Sequence, residues 1–314
     1  MTAYVKSEKK SIVIDAQMAS PREFKLPVFN LDEVKRGPKA IGVPGFLKGM
    51  WEIHQKYGTV PWKDLVVPIM NLCRGGLIIT KHLHDSMHIN KIIVNDPYLK
   101  EVLVDPKTKT FKRPGTKVFL NKNCDFLETL ANHTESEIFS NAVGEIMRKD
   151  FIDAGRLVTL KDLQDYKVKW SEGLEFPLST GDKLLVPNTA AVLIPSVLNI
   201  LQKFNFNASS FDGEANVNVT IQAYHRIVEA FKHVFAVRSH LGDPEFIDVN
   251  DIVKRILSPQ FAEEIRKKID EKKTFNDPRR YATEFIAPED HGTSHVSIAT
   301  GNGDAVSITS SINY

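Results

Sequence analysis

Short apolar runs and helical periodicities divide this chain into strands near its two ends and helices between them. Residues 11–15 form a short apolar run that predicts a strand. Phe46 to Lys56 predicts a helix, and Trp62 to Arg74 predicts another, which begins after Pro61 and ends at the Gly75-Gly76 pair. These two segments should form a helical pair that follows the first strand.

The middle of the chain is also helical in pattern. Apolar residues recur at helical spacing between Ile221 and Arg238, and Ser258-Pro259 supplies the N-cap and first-turn proline that open a further helix. Two polar stretches, Pro106 to Pro114 and Glu271 to Arg280, lack such a pattern and predict exposed loops. The second of these loops comes shortly before the last polar segment of the chain.

Near its C-terminal end the chain alternates polar and apolar residues twice, from His295 to Thr300 and from Ala305 to Ser311. This pattern predicts a β-hairpin. The connection is either a two-residue turn at Asn302-Gly303 or a three-residue loop of Gly301, Asn302 and Gly303 with Gly303 in the left-handed conformation. The two connections give different registers, so they place different side chains opposite each other.

A Gly-Thr bond precedes the first of these strands, within the run Asp-His-Gly-Thr-Ser-His-Val-Ser at 290–297. Cleavage of the Gly292–Thr293 bond would give Thr293 a free α-amine beside its hydroxyl. A nucleophile and its base would then share one residue, as an N-terminal nucleophile hydrolase requires. An α-amine has a pKa of about 8 and can act as a general base near neutral pH. We therefore expect Thr293 to be the catalytic nucleophile.

The hairpin register decides which side chain lies beside Thr293. A two-residue turn would set Thr293 opposite Ile312, whereas the three-residue loop sets it opposite Ser311. Residues opposite each other on neighbouring strands share a face, so the second register brings a second hydroxyl to the nucleophile. We predict that register and its three-residue loop.

Composition and charge are those of an ordinary globular protein with one large or two modest domains. The 314 residues are 42% hydrophobic and 25% charged, and 41 basic residues nearly balance 39 acidic ones. A net charge of +2 without a basic stripe argues against nucleic-acid binding. The chain has no apolar window of about 18 residues, the length needed to span a bilayer. Met1 to Lys6 lacks the apolar centre of a signal peptide.

Two cysteines and three glycosylation sequons bear on the cellular compartment. Cys73 and Cys124 have no CxxC spacing, which argues against metal or redox use, and either two buried thiols or one disulfide bridge would accommodate them. Acceptor sequons stand at Asn132, Asn207 and Asn218 and suit a secreted protein. The first residues alone indicate a cytosolic protein, so these two signals conflict.

Two groups of polar side chains superficially offer metal ligands. His82, His84 and His88 lie in one helical stretch without an acidic cage, which is typical of a solvated helix face. His225 and Glu229 share an i,i+4 face but lack the second histidine of a zinc protease, so we expect local pairing between them. We predict no metal site from either group.

The segment around Thr293 resembles the processing region of the γ-glutamyltransferases, also called γ-glutamyl transpeptidases or glutathione hydrolases. Upstream, five blocks in the family's order extend the resemblance through most of the chain. These blocks are residues 40–46 (containing Val-Pro-Gly), 57–62 (Tyr-Gly-Thr-Val-Pro-Trp), 139–163, 224–230 (Tyr-His-Arg-Ile-Val-Glu-Ala) and 241–246 (Leu-Gly-Asp-Pro-Glu-Phe). Residues 310–313 read Ser-Ser-Ile-Asn where the family has Ser-Thr-Ile-Asn.

The resemblance implies a fold and a division into subunits. The fold class would be α/β in its α+β form, the αββα sandwich of the N-terminal nucleophile hydrolases, here incomplete and mostly the helical large-subunit part. Residues 1–292 would be the large-subunit region, truncated at its N-terminus. Residues 293–314 would be the first hairpin of the small subunit, truncated at its C-terminus.

The resemblance also implies roles for individual residues. Thr293 would cut the bond to Gly292 and would then attack the γ-amide of glutathione or another γ-glutamyl compound. Ser311 stands where the family has a threonine that hydrogen-bonds to the nucleophile, and Thr to Ser keeps the hydroxyl. Asn313 matches a family position that contacts the α-amino end of the substrate.

The implied partners and location follow from the same family. The γ-glutamyl group would pass to water, an amino acid or a dipeptide, and the remaining partner would be the protein's own cleaved small subunit. No metal or organic cofactor is required. Family members are typically secreted or anchored in the plasma membrane by an N-terminal segment, which implies an extracellular protein that is cut from a zymogen.

Two departures from the family pattern affect substrate binding. Within residues 14–21 the arginine that grips the glutamyl α-carboxylate is replaced by Gln17, and the following glutamate by Met18. Exchanging a charge-assisted pair for a neutral amide contact would cost roughly 1.5–3 kcal/mol of recognition. The family's small subunit also continues past the position of Tyr314 with groups that complete the pocket. Gln17 and Met18 motivate an alternative, a catalytically silent secreted homologue that acts as a binding protein.

Overall fold

The computed structural model describes residues 1–23, 37–133, 138–140, 142–155, 158–187, 190–214, 216–283 and 293–312. The chain divides into two compact units. One consists of Met1–Asp15 together with Lys169–Tyr314, and the other consists of Ala16–Val168. Both ends of the chain therefore belong to the first unit. None of the helices in the described ranges has the length and apolar character needed to cross a membrane.

Strands and helices are numbered here in chain order. The described strands are β1 (Thr2–Val5), β2 (Lys10–Asp15), β3 (Leu77–Ile78), β4 (Lys117–Val118), β5 (Lys169–Ser171), β6 (Leu174–Pro177), β7 (Lys183–Val186), β8 (Ser294–Ala299) and β9 (Ala305–Ser310). The described α-helices are α1 (Phe46–Tyr57), α2 (Trp62–Arg74), α3 (Lys81–Ile89), α4 (Pro97–Leu103), α5 (Asn121–Ala131), α6 (Ala142–Asp153), α7 (Leu160–Asp165), α8 (Leu193–Leu201), α9 (Val217–Val237), α10 (Asn250–Ile256) and α11 (Pro259–Lys268). Short 3-10 helices lie at Pro38–Ala40, Lys91–Asn95, Ala190–Val192, Gln202–Phe204, Ala208–Phe211, Arg238–His240 and Pro278–Tyr281.

The predicted helix boundaries are confirmed where the sequence carries a cap. Helix α2 spans the predicted residues, and α11 begins at Pro259 with the Ser258 hydroxyl accepting a hydrogen bond from the Phe261 N–H at 3.2 Å. Helix α9 begins four residues earlier than its apolar pattern indicated. Asn216 caps it there by accepting from the Val219 N–H at 3.2 Å.

A five-stranded antiparallel sheet in the first unit joins the two ends of the chain. Its strand order is β5-β2-β1-β9-β8. Strand β1 was not predicted, and it lies in the middle, because Thr2 pairs with Val13 of β2 on one side and with Ser307 of β9 on the other. Ile14 of β2 is fully buried. The sheet thus holds the C-terminal hairpin against strands from the start of the chain.

Helices α8, α9 and α11 form the apolar core of the first unit. The core consists of Val192, Leu193, Val197, Ile200, Ala230, Val234, Ile256, Phe261, Ala262, Ile265 and Ile269. Burying each of the Val, Leu, Ile and Phe side chains contributes about 1.5–3 kcal/mol relative to leaving it exposed. The hairpin of β6 and β7 joins this core through Leu174. This packing fixes α9, which supplies several of the polar contacts described below.

The second unit is largely helical and carries a disulfide bridge. Cys73 of α2 and Cys124 of α5 are bonded to each other, with their Cα atoms 5.6 Å apart. The two alternatives left open by the sequence are thereby resolved in favour of one bridge. Arg74 reinforces the same helix pair, because its guanidinium lies 2.7 Å from Asp125 and 2.9 Å from Glu128. Bridge and ion pairs together tie α2 to α5.

Candidate active site

The loop of the C-terminal hairpin has the predicted length. The Thr300 N–H donates to the Asp304 carbonyl at 2.9 Å, and the Gly303 N–H donates to the Thr300 carbonyl at 3.0 Å. Gly301, Asn302 and Gly303 lie between these flanking residues. Gly303 has φ of 93°, a left-handed conformation that side chains disfavour. The three-residue loop is therefore confirmed.

The register of the hairpin sets the surroundings of Thr293. Ser294 at the start of β8 pairs with Ser310 at the end of β9. Carried one residue further, the register puts Thr293 opposite Ser311, as the three-residue loop requires. Both residues are exposed. The two hydroxyl-bearing residues therefore stand on one face of the hairpin, at its open end.

A row of hydrogen-bonded polar side chains occupies the same face. His295 Nδ1 lies 2.7 Å from Thr309 Oγ1, and its Nε2 lies 2.9 Å from Ser297 Oγ. Ser297 Oγ in turn lies 3.0 Å from Ser307 Oγ. Sequence reasoning gave His295 no role, although the period of two along a strand puts it on the face of Thr293. The imidazole links the two strands two residue pairs away from Thr293.

The opposite face of the hairpin is apolar. Val296 and Ile298 of the edge strand β8 are 47% and 50% exposed, and Val306 and Ile308 of β9 are half-buried. The alternation that predicted the hairpin thus separates two surfaces. One is polar and carries the candidate nucleophile, and the other is an apolar sheet surface.

Gln17, the position matching the family's carboxylate-binding arginine, lies in the second unit. Its backbone carbonyl accepts a hydrogen bond from the Tyr166 hydroxyl at 2.5 Å. Two residues on, Ala19 forms a β-bridge with Val43, with N–H to carbonyl distances of 2.8 and 3.1 Å. The neighbouring Met18 side chain is 51% exposed. The backbone of the Gln17 segment is thus held on two sides.

Gly45, the N-cap of helix α1, and Gly49, inside that helix, allow the Gln17 segment to pass close by. A Cβ atom on Gly45 would lie 2.4 Å from the carbonyl oxygen of Ala16, and one on Gly49 would lie 2.6 Å from the Ala16 Cβ. The chain can pass this closely only because both positions lack a side chain. The Val-Pro-Gly block and the segment of Gln17, separate in sequence, therefore pack against each other.

Two predicted site residues lie outside the described residues. They are Gly292, on the acyl side of the expected cleavage, and Asn313, the expected contact to the substrate α-amino end. Their roles stay predictions. By extension of the β8–β9 register, Thr293 and Ser311 are opposite each other in the first unit, and Gln17 belongs to the second.

The described residues include no group of three or more His, Cys, Asp or Glu side chains placed to hold a metal ion. His82, His84 and His88 all lie on α3. His88 Nδ1 is 2.9 Å from the carbonyl oxygen of His84, which is a bond within the helix. His88 is therefore bonded within its own helix, whose exposed side also carries His82.

The expected pairing of His225 with Glu229 is wrong. His225 Nε2 lies 2.7 Å from the carbonyl oxygen of Asp270. Glu229 instead accepts hydrogen bonds from Thr274 at 2.6 Å and from Tyr281 at 2.9 Å. Both side chains therefore bond to residues that follow α11 in the chain, and not to each other.

The three sequon asparagines are exposed. Asn132 follows α5 and accepts a hydrogen bond from Lys63 Nζ at 3.1 Å. Asn207 caps the 3-10 helix Ala208–Phe211 through its Oδ1, and Asn218 lies in the first turn of α9. Exposure makes the three amides accessible, and the glycans themselves remain predictions.

The fold and the hairpin agree with the comparison to known protein families. The family model described as gamma-glutamyltranspeptidase matches residues 1–314, and the chain belongs to that family. The crystal structure of Helicobacter pylori gamma-glutamyltranspeptidase matches 88% of this chain and 79% of that chain, with a TM-score of 0.73 at 20% identity. The predicted N-terminal nucleophile hydrolase fold is therefore confirmed.

Curated relatives are longer than this chain. Glutathione hydrolase 2 of Arabidopsis thaliana is 37% identical over 292 residues, which are 90% of this chain and 48% of that protein. Glutathione hydrolase proenzyme 2 of Schizosaccharomyces pombe is 31% identical over 284 residues, 88% of this chain and 44% of that protein. The chain thus spans about half the length of the curated relatives it matches.

Proposed function

We propose that the full-length protein is a γ-glutamyl hydrolase and transferase that frees Thr293 by cutting its own Gly292–Thr293 bond. Thr293 Oγ attacks the carbonyl carbon of Gly292, and the hydroxyl proton passes to the departing amide nitrogen. The acyl group moves from nitrogen to oxygen. Water then hydrolyses the ester, which leaves a carboxylate on Gly292 and a free hydroxyl and α-amine on Thr293.

The same hydroxyl carries the transfer reaction. With the α-amine as general base, Thr293 Oγ attacks the γ-amide carbon of glutathione or another γ-glutamyl compound, and the departing amine takes the proton. Water, an amino acid or a dipeptide then attacks the γ-glutamyl ester and releases Thr293. Residues 1–292 and the chain that begins at Thr293 stay associated as large and small subunits, and Asn313 contacts the α-amino end of the substrate.

The observation that carries this proposal is the register of β8 with β9. It aligns Thr293 with Ser311 on a polar face, and the loop that fixes this register is a three-residue one. A hydroxyl opposite the nucleophile can donate a hydrogen bond to Thr293 Oγ and so favour its deprotonated form. The relative from Schizosaccharomyces pombe is named a glutathione hydrolase proenzyme, and this name supports cleavage of a precursor.

The location we propose is outside the cell. The Cys73–Cys124 disulfide is of a kind that persists in oxidising compartments, and the sequon asparagines Asn132, Asn207 and Asn218 are exposed. A glycoprotein that passes through the secretory pathway has both features. Secretion from a eukaryotic host, with a drop in apparent mass after endoglycosidase treatment, is the expected result, whereas an unmodified intracellular product would contradict it.

N-terminal sequencing of the protein made from its complete transcript tests the processing step. We expect two chains, one of which begins at Thr293, and hydrolysis of a γ-glutamyl anilide by the cleaved protein. Thr293→Ala should give one uncut, inactive chain, while Thr293→Ser keeps a hydroxyl and should still be cut. A folded wild-type protein without a cut at Thr293 would show that the nucleophile is assigned wrongly.

Gln17 and Met18 favour a second candidate, a silent homologue that keeps the fold as a secreted binding protein. Neither side chain carries the charge with which the family binds the glutamyl carboxylate. Correct cleavage at Thr293 without turnover of any γ-glutamyl substrate would support this candidate. Measurable turnover of a γ-glutamyl anilide would exclude it.

A further inference from the structure

The buried carboxylate of Glu229 has no part in the proposed reaction, yet it is among the most completely bonded groups in the molecule. The residue is 2% exposed and lies on α9. The Tyr281 hydroxyl lies 2.9 and 3.1 Å from its two carboxylate oxygens, and the Thr274 hydroxyl donates at 2.6 Å. Removing a charge from water is costly unless it is paired and hydrogen-bonded, and both conditions are met here.

Lys232, one turn further along α9, supplies the matching positive charge. Its ammonium lies 3.3 Å from the Glu229 carboxylate and donates to the carbonyl of Phe275 at 3.0 Å. It also bonds to the Thr274 hydroxyl. The Phe275 N–H donates to the Tyr281 hydroxyl at 3.2 Å, which closes the network. Glu229 and Lys232 of α9 thus bond to both the backbone and the side chains of residues 274–281.

The segment held in this way comes shortly before the expected cleavage point. Thr274, Phe275 and Tyr281 all lie between α11 and the Gly292–Thr293 bond. Tyr281 is 8% exposed, and its ring packs edge-on against His233 at a centroid distance of 4.9 Å. The next residue, Ala282, has φ of 62°, so the chain turns sharply where it leaves the network.

We infer that Glu229, Lys232 and Tyr281 are positioning residues that anchor the chain upstream of the scissile bond, so that Thr293 meets the Gly292 carbonyl efficiently. The inference rests on the proposed cleavage at Thr293. In chain order, Tyr281 precedes the bond and the start of β8 at Ser294 follows it, with residues 282–293 between them. The anchor would act on processing and not on turnover, because none of its members belongs to the polar face of the hairpin.

Loop length sets the scale of the expected effect. Without the anchor, the next contact upstream is that of Glu271 with Arg226 of α9, at 2.9 Å, and residues 272–293 rather than 282–293 would join it to β8. Closing a segment longer by this ratio slows a reaction that depends on it by about 2.5-fold. Loss of the defined exit direction at Ala282 adds to this factor. A slowing of at least about twofold is therefore expected.

The test measures the rate at which uncut full-length protein is converted to two chains, and, separately, kcat per Thr293 N-terminus in the cut protein. Tyr281→Phe removes the hydroxyl and keeps the ring, and Tyr224→Phe, at an exposed position of α9, is its matched control. We expect Tyr281→Phe and Glu229→Gln each to slow conversion by at least about twofold with kcat unchanged. Tyr224→Phe should match the wild type.

The double variant Glu229→Gln/Tyr281→Phe distinguishes an anchor from general destabilisation. If both residues act through one hydrogen-bonded unit, the double variant is no slower than the slower single variant. The inference would be overturned if the two single effects on the conversion rate multiplied in the double variant. It would also be overturned if the variants lowered kcat by the same factor as the conversion rate. If Glu229→Gln gives unfolded protein, Thr274→Val takes its place, because it removes one hydrogen-bond donor to Glu229 at nearly constant side-chain volume. A wild-type rate of conversion in both Thr274→Val and Tyr281→Phe would also overturn the inference.

The two proposals fail in different ways. A wild-type protein that is never cut at Thr293 overturns both of them. A wild-type protein that is cut, together with a Tyr281→Phe variant that is cut at the wild-type rate, overturns the anchor alone and leaves the γ-glutamyl chemistry in place.

Discussion

The hydroxyl of Tyr166 fills the space that a side chain on Gly45 would need: a Cβ atom at Gly45 would lie 2.1 Å from Tyr166 Oη. Gly45 has φ of −100° and ψ of −20°, which suit any residue, so contact and not backbone conformation requires glycine there. Tyr166 in turn donates to the Gln17 carbonyl. The Val-Pro-Gly block thereby packs against the segment that carries Gln17.

Gly45→Ala should destabilise the second unit by about 1–3 kcal/mol, the usual cost of forcing a methyl group into a packed site. Chemical denaturation followed by the fluorescence of Trp51 and Trp62, both in this unit, measures the loss. Gly213→Ala is the control, because a Cβ there would meet nothing within 4 Å. Equal stability of the two variants would contradict the proposed clash.

Gln17→Arg should improve kcat/KM for a γ-glutamyl anilide about tenfold to a hundredfold, chiefly through KM. The reason is that one charge-assisted contact to the α-carboxylate contributes roughly 1.5–3 kcal/mol. Met18 supplies no carboxylate to orient a guanidinium, so Gln17→Arg/Met18→Glu should exceed the single change. Steady-state kinetics of cut, full-length protein measure the effect, and a loss of activity in both variants would count against this role for Gln17.

Ser311→Ala should slow both cleavage and turnover by about three- to tenfold, the worth of one neutral hydrogen bond. Ser311→Thr keeps the hydroxyl and should stay close to the wild type. Ser310→Ala is the matched control, because neighbouring residues of a strand face opposite sides of the sheet. If Ser310→Ala and Ser311→Ala slow the reaction equally, the shared face of Thr293 and Ser311 has no special function.

Removal of the disulfide should weaken the second unit strongly. The bridge closes a separation of 51 residues, for which the chain-entropy model gives a stabilisation of about 4 kcal/mol. We expect Cys73→Ala/Cys124→Ala to lose free energy of unfolding of that order in urea denaturation. Reduction of the wild-type protein should produce a similar loss, whereas it should not affect the double variant.

The stabilisation from Glu229 should depend on pH. Burial acts to raise the pKa of its carboxyl, but hydrogen bonds from Thr274, Tyr281 and Lys232 outweigh burial and hold the pKa below its ordinary value of 4.5. A lowered folded-state pKa stabilises the fold above the unfolded-state value, and this contribution is lost as the pH falls through the folded-state value.

The free energy of unfolding should therefore differ most between wild type and Glu229→Gln at neutral pH. The difference should shrink as the pH falls below about 4. His233 is adjacent, and burial lowers its pKa. The Glu229 charge acts to raise that pKa, so Glu229→Gln also changes the titration of His233. Denaturation at a series of pH values provides the measurement, with Glu214→Gln, an exposed position of the same unit, as control. A constant difference from pH 7 to pH 3 would contradict the prediction.

Local signals explain which parts of the fold could be predicted from sequence. Proline and glycine delimit α2, Ser258 caps α11, and the Gly-Asn-Gly loop fixes the hairpin, because each signal acts within a few residues. Strand β1 was missed because it has four residues and is defined by partners on β2 and β9. Its pairing with β9 spans almost the whole chain.

The errors and omissions at the candidate site have the same cause. The i,i+4 spacing of His225 and Glu229 is real, but residues from beyond α11 bond to both side chains. The bridge between Cys73 and Cys124 depends on α2 packing against α5, which the spacing of two cysteines does not indicate. The position of His295 could have been predicted from sequence, since a spacing of two residues along a strand puts it on the same face as Thr293.

The position of β1 in the middle of its sheet also determines the order of assembly during synthesis. Residues 16–168 are continuous and can complete their unit and its disulfide early. Strand β1 must wait for residues 305–310. At about 5–20 residues per second, that delay is roughly 15–60 s. Throughout it, one edge of β1 has no strand partner from its own chain, and a nascent neighbour or a chaperone can bind there first.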